Sequence, residues 1–151
     1  MLGYLARYCS QAERCLFDVR KKMQTADLSG DAEKRIIDTL LQEKFIDEKR
    51  FARSFVRDKF QYNHWGRIKI AYELKLKCLS SEVCGEALDS IDEDEYVAAL
   101  SEMLKIKKRT VKSHSSQDMY QKLFRFAASR GFETPLIIHS LKKILNNIDN
   151  D

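Results

Sequence analysis

Histidine, cysteine and clustered carboxylates are the side chains from which active sites and metal centres are built, and this sequence holds few of them in usable arrangements. His64, His114 and His139 are far apart and none has a second ligand one helical turn away, so they read as surface or partly buried side chains. Cys9 with Cys15, and Cys78 with Cys84, form equally spaced pairs but lack the two-residue gap of a zinc or redox pair; free thiols on helices are expected. The acidic cluster Asp89, Asp92, Glu93, Asp94 and Glu95 lacks the alternating ligands and central glycine of a calcium loop, and fits the start of a helix, where carboxylates meet the positive end of the dipole. A nucleophile elbow, a phosphate-cradling glycine loop and a metal dyad are all missing from the pattern. The sequence therefore predicts a protein that is not an enzyme and that needs no cofactor or metal.

The basic residues are the informative set. Between Lys49 and Lys77 stand Lys49, Arg50, Arg53, Arg57, Lys59, Arg67, Lys69, Lys75 and Lys77 against Asp58 and Glu73, nine minus two or +7, in a chain whose formal net charge is +4. Phe60, Tyr62, Trp65 and Tyr72 lie among them, so groups that stack or anchor accompany charges that meet phosphates or acidic side chains. A second run holds Lys105, Lys107, Lys108, Arg109 and Lys112. A solvated helix face with its aromatics turned inward is the plain alternative. The patch as a whole points to a nucleic acid, or to a partner surface that lies along one.

Helices must position these residues. The chain of 151 residues has one proline and five glycines, too few turn residues for a sheet protein, and 44% hydrophobic residues, enough for a core. Cys15, Val19 and Met23 recur at four-residue spacing, and Ile36, Ile37, Leu40 and Leu41 form one stripe. Asp47 is placed to cap a helix with Phe51, Phe55 and Val56 on one face and basic residues on the other. Gly66 precedes a helix through Ile70 and Leu74; Ser80 or Ser81 caps the next; Asp92 opens another through Tyr96 and Leu100. Gly131 is placed to end a helix through Leu123 and Ala127, and Pro135 to start the last. No apolar run approaches the roughly 20 residues that span a bilayer, and the first residues do not read as a secretion signal, so a cytoplasmic protein without membrane contact is expected.

These helices repeat. With Leu28, Leu79 and Phe132 set equivalent, nine residues earlier stand Val19, Ile70 and Leu123, and five earlier Met23, Leu74 and Ala127. Nine later come Ile37, Leu88 and Leu141, and twelve later Leu40, Ile91 and Ile144. Asp47 and Phe51 are matched by Asp92 and Tyr96, whereas the third copy runs out of sequence. The expected fold is all-α: tandem three-helix repeats at 1–60 and 61–112 and a truncated third at 113–151, stacked into an elongated, curved array.

FIDEKRFARSFVRDKF (Phe45 to Phe60) resembles the most characteristic segment of the RecX regulatory proteins, and WGRIKIAYELKLK (Trp65 to Lys77) is similar to the segment next to it in that family. ARYCSQAERCLFDVRKKM and QKLFRFAASRGF also match family patterns, so the resemblance covers nearly the whole chain. It implies three tandem three-helix repeats in a curved molecule. It also implies a monomer that lodges in the groove of the RecA filament on single-stranded DNA, in DNA repair and recombination, and restrains RecA's ATPase, strand-exchange and coprotease activities by occlusion. Single-stranded DNA would be touched weakly or through RecA. Arg50, Arg53, Arg57, Arg67, Lys69, Lys75 and Lys77 are the candidate contacts to RecA or DNA within the matching segments. Asp27 and Cys78 depart from the family pattern, standing where a glycine commonly ends the first helix of a repeat. The rival function is a helical protein that reads duplex DNA independently of RecA.

Overall fold

The computed structural model describes residues 1–146, which among themselves form nine α-helices and no strand. These are α1 (Leu2–Gln11), α2 (Leu16–Met23), α3 (Gly30–Gln42), α4 (Glu48–Gln61), α5 (Arg67–Leu76), α6 (Ser81–Asp89), α7 (Glu93–Thr110), α8 (Ser116–Ser129) and α9 (Thr134–Asn146). The start signals act as the sequence predicts. Asp47, Ser80 and Asp92 accept hydrogen bonds from the amides of Arg50, Val83 and Glu95 at 3.0, 3.2 and 3.0 Å. Each such cap contributes about 1 kcal/mol by pairing an amide that the helix leaves free.

The repeated positions are buried or half-buried. Val19, Ile70 and Leu123 are all inaccessible to solvent, and so are Leu74 and Ala127 beside a nearly buried Met23. Phe51 and its equivalent Tyr96 are buried too. α1, which the four-residue spacing downstream did not announce, buries Leu5 and Cys9 one turn apart. Leu5 comes four residues after Met1 as Phe51 does after Asp47 and Tyr96 after Asp92, so α1 supplies ahead of the first copy the helix that the third copy lacks. Counted from α1, the nine helices form three sets of three.

Two cores result. Leu5, Cys9, Val19, Met23, Ile37, Leu40 and Ile46 close the first set, while α4–α9 share a larger core that also takes in Cys15. Each fully buried aliphatic or aromatic side chain contributes about 1.5–3 kcal/mol. Within the larger core α4 packs on α5 and α6, and α7 packs on α8 and α9. These two sets meet where the start of α5 abuts the α8–α9 turn. The Gly66 amide donates to the Arg130 carbonyl at 2.7 Å, and the Ile68 amide to the Gly131 carbonyl at 3.0 Å. Gly131 holds φ +94°, and a methyl group on it would lie 2.4 Å from Lys69 Cβ, so glycine is required there.

Cys78 shows what a missing glycine costs. It stands after α5 with φ +60°, and its amide donates to the Lys75 carbonyl at 3.0 Å, the left-handed helix stop that Gly131 makes after α8. Asp27 does not adopt it, because α2 has already ended at Met23. Cys78→Gly is expected to raise stability by about 1 kcal/mol, read as a higher urea midpoint at unchanged slope.

Candidate partner-binding surface

The seven candidate cations fall into two groups. Three are held in ion pairs that cross between helix sets. Arg50 Nε meets Glu13 Oε1 at 2.7 Å, and its terminal nitrogen donates to the Lys44 carbonyl at 3.0 Å, fixing α4 to the segment between α1 and α2. Lys77 Nζ meets Asp18 Oδ1 at 2.6 Å, tying the end of α5 to α2. Arg67 bonds Glu93, meets Glu133 at 3.0 Å, and lies 3.8 Å from the centre of the Tyr96 ring. The Tyr96 hydroxyl donates to Glu133 and accepts from the Arg67 amide at 2.9 Å, so one buried phenol joins α5, α7 and the start of α9. Burial, and next the bond to Glu133, raise the Tyr96 phenol well above the ordinary tyrosine range and keep it a donor.

The Asp18 pair carries a pH signature. Burial alone would raise the Asp18 carboxyl, but hydrogen bonds from Lys77 and from the Cys15 amide outweigh it, and the net shift is downward. A carboxyl lowered in the folded state stabilises fully above its unfolded pKa of about 4, and that contribution is lost as pH falls through the folded value. Asp18→Asn is expected to lose about 1–2 kcal/mol at pH 7. Urea midpoints of the two proteins should draw together as pH falls below the ordinary carboxylate range.

The other four cations face outward or half outward. Arg53 and Arg57 are exposed one turn apart on α4, flanking the buried stripe of Ala52, Val56 and Phe60. With Lys49, Arg50 and Ser54 they line a shallow depression of about 560 Å³ that Glu13 and Asp47 also line. Lys75 is exposed on α5, and Lys69 lies 4.5 Å from the centre of the Trp65 ring.

α5 shows a feature that the basic pattern hides. It buries Ile70 and Leu74, as a core helix should, yet Ile68, Tyr72 and Leu76 form a second stripe at four-residue spacing that is 57%, 61% and 52% exposed. Apolar surface on both faces of a helix whose neighbours cover one of them marks a contact surface. The signal was present in RIKIAYELKL, where apolar residues alternate with polar ones at a step of two, so no single face claims them.

The reactive side chains stay apart. Cys9 and Cys15 are buried, Cys84 half-buried and Cys78 exposed. Burial pushes the Cys15 thiol up to about 11, a poor nucleophile at neutral pH. Among the described residues no three His, Cys, Asp or Glu side chains converge as metal ligands would, and no helix is long and apolar enough to cross a membrane.

The architecture defines an all-α protein of tandem three-helix units. A profile of the second three-helix domain of RecX matches residues 47–88, which are α4–α6 and their caps. That unit starts one helix before the 61–112 repeat; the two divisions share a period and differ in phase. The regulatory protein RecX of Clostridium botulinum is 35% identical over 132 residues, 85% of this chain and 60% of that protein. Its counterpart in Prosthecochloris aestuarii is 25% identical over 140 residues, 93% of this chain and 90% of that one. The crystal structure of RecX from Lactobacillus salivarius shares the fold with TM-score 0.86 at 20% identity, over 94% of this chain and 92% of that one. The chain spans about 60% of the length of the clostridial relatives. Over most of its length it is similar to the RecX family of regulatory proteins.

Proposed function

We propose that this protein regulates the RecA recombinase by lying along its filament on single-stranded DNA, mainly inhibiting its ATPase, strand-exchange and coprotease activities. The observation that carries this reading is the exposed surface of the family-matched unit, which presents Arg53 and Arg57 on α4 and, on α5, Lys75 with the unpartnered Ile68, Tyr72 and Leu76 stripe. Cations with large apolar side chains suit a protein partner, and they also suit the phosphates beside it. Arg50, Arg67 and Lys77 serve by fixing the spacing between helix sets, so that several sets engage successive protomers in register. The action is occlusion by a cytoplasmic monomer, without catalysis or cofactor.

The test is the steady-state ATPase of cognate RecA on single-stranded DNA, titrated with this protein. Suppression well below one molecule per RecA supports filament regulation. Unchanged ATPase, together with steeply salt-dependent and sequence-selective duplex binding, would replace it with independent DNA reading.

A further inference from the structure

One apolar pocket takes a cation of the second basic run into its lining and adjoins the loop that follows α4. His64 in the α4–α5 loop, the α7 side chains Ala99, Met103 and Ile106, and Phe126 of α8 line a pocket of about 400 Å³, with Ile106 51% exposed. Lys107 Nζ and the Arg130 guanidinium lie 4.7 and 5.2 Å from the centre of the Phe126 ring. Next to His64, Trp65 carries Lys59 and Lys69 at 4.9 and 4.5 Å from its ring, and the adjoining Gly66 amide is bonded to the Arg130 carbonyl. Lys107 of the second run therefore lines the pocket together with one carboxylate, Glu102, and Lys59 and Lys69 of the first run lie on Trp65, the chain neighbour of the lining residue His64.

We propose that this pocket, at the junction of α4–α6 with α7–α9, docks an acidic polypeptide segment. One large aliphatic or aromatic side chain of that segment enters between Met103, Ile106 and Phe126, and flanking carboxylates meet Lys107 and Arg130, with Lys59 and Lys69 beyond. Charge complementarity sets the sign of the partner. Phosphates have the same sign, but each ring here already holds two cations where a base would stack. The wall is mostly aliphatic, thioether and ring carbon, with His64, Glu102 and Thr110 as its few further polar groups, so a nucleobase buried there would leave most of its donors and acceptors unpaired. The partner is defined by its chemistry alone, so the inference stands apart from the RecA reading.

The experiment is an amide NMR titration of the full chain with two synthetic glutamate-rich peptides, one with a central leucine and one with a central serine. The leucine peptide should shift the amides of Ala99, Met103, Ile106 and Phe126 saturably and bind about tenfold tighter than the serine peptide. Ile106→Glu, at an exposed position that the fold tolerates, should weaken the leucine peptide about tenfold, and so should Lys107→Glu. No saturable shift at these amides up to about 1 mM peptide, or equal binding of the two peptides, overturns the proposal. Displacement of the leucine peptide by an oligothymidylate of about fifteen nucleotides also overturns it and assigns the pocket to single-stranded nucleic acid.

Discussion

Gly66→Ala is expected to destabilise the protein by about 3 kcal/mol or more, although it adds only one methyl group. An alanine Cβ at that position would lie 2.4 Å from the carbonyl carbon and oxygen of Gly131 and 2.5 Å from the Phe132 amide nitrogen. Those are backbone atoms, which cannot swing aside as the end of a side chain would. Relief requires α5 to draw away from the α8–α9 turn. That separation breaks the bonds from the Gly66 and Ile68 amides and pulls Arg67 and its amide from Glu133 and Tyr96. The Tyr96 hydroxyl would lose the amide that donates to it and the Glu133 carboxylate its guanidinium, while their bond to each other remains, and these losses in a half-buried place account for part of the cost. Urea unfolding should show the lower midpoint, and also a shallower slope as the α4–α6 and α7–α9 sets cease to unfold together. Gly85→Ala in α6 is the control. Nothing lies within 4 Å of its added methyl, so it should stabilise by about 0.5–1 kcal/mol through helix propensity.

This joint marks the boundary of what the sequence discloses. Gly66 and Gly131 were legible as the start of one helix and the end of another, because each role is set by neighbours a few residues away. That the two glycines press against each other depends on a contact across sixty-five positions, and no local pattern encodes it. Arg67 illustrates the same limit. Its place in a basic run marked it as a contact for a partner, whereas the structure pairs it with Glu93 and Glu133, and the latter lies 66 residues away. Periodicity carried the fold further than charge carried the site. A buried face must repeat at the helical interval, so Val19, Ile70 and Leu123 declared their equivalence, but a surface cation obeys no such interval. α1 escaped notice because its two buried residues give a single step of the pattern, and only its match in position to α4 and α7 shows it to be part of the repeat.

Sorting the cations by what they touch separates their expected effects. Arg50, Arg67 and Lys77 each bridge two helix sets, so their loss should change stability and spacing together. Arg53 and Arg57 are exposed; Arg57 lies 3.8 Å from Asp58, its neighbour on the same helix. Such a surface pair contributes almost nothing to stability. Reversing both charges, Arg53→Glu with Arg57→Glu, should leave the circular dichroism and urea midpoint close to those of the parent. If the surface of α4 meets acidic side chains of RecA or phosphates of its DNA, two reversals turn attraction into repulsion at adjacent points. A loss of about 1–2 kcal/mol at each then raises the protein needed for half-suppression of the RecA ATPase by about thirty- to a thousandfold. Added salt should narrow the gap between the two proteins, because screening weakens the repulsion as well as the attraction. Half-suppression at an unchanged ratio would show that α4 does not face the filament, and the exposed Ile68, Tyr72 and Leu76 stripe of α5 would then be the surface to alter.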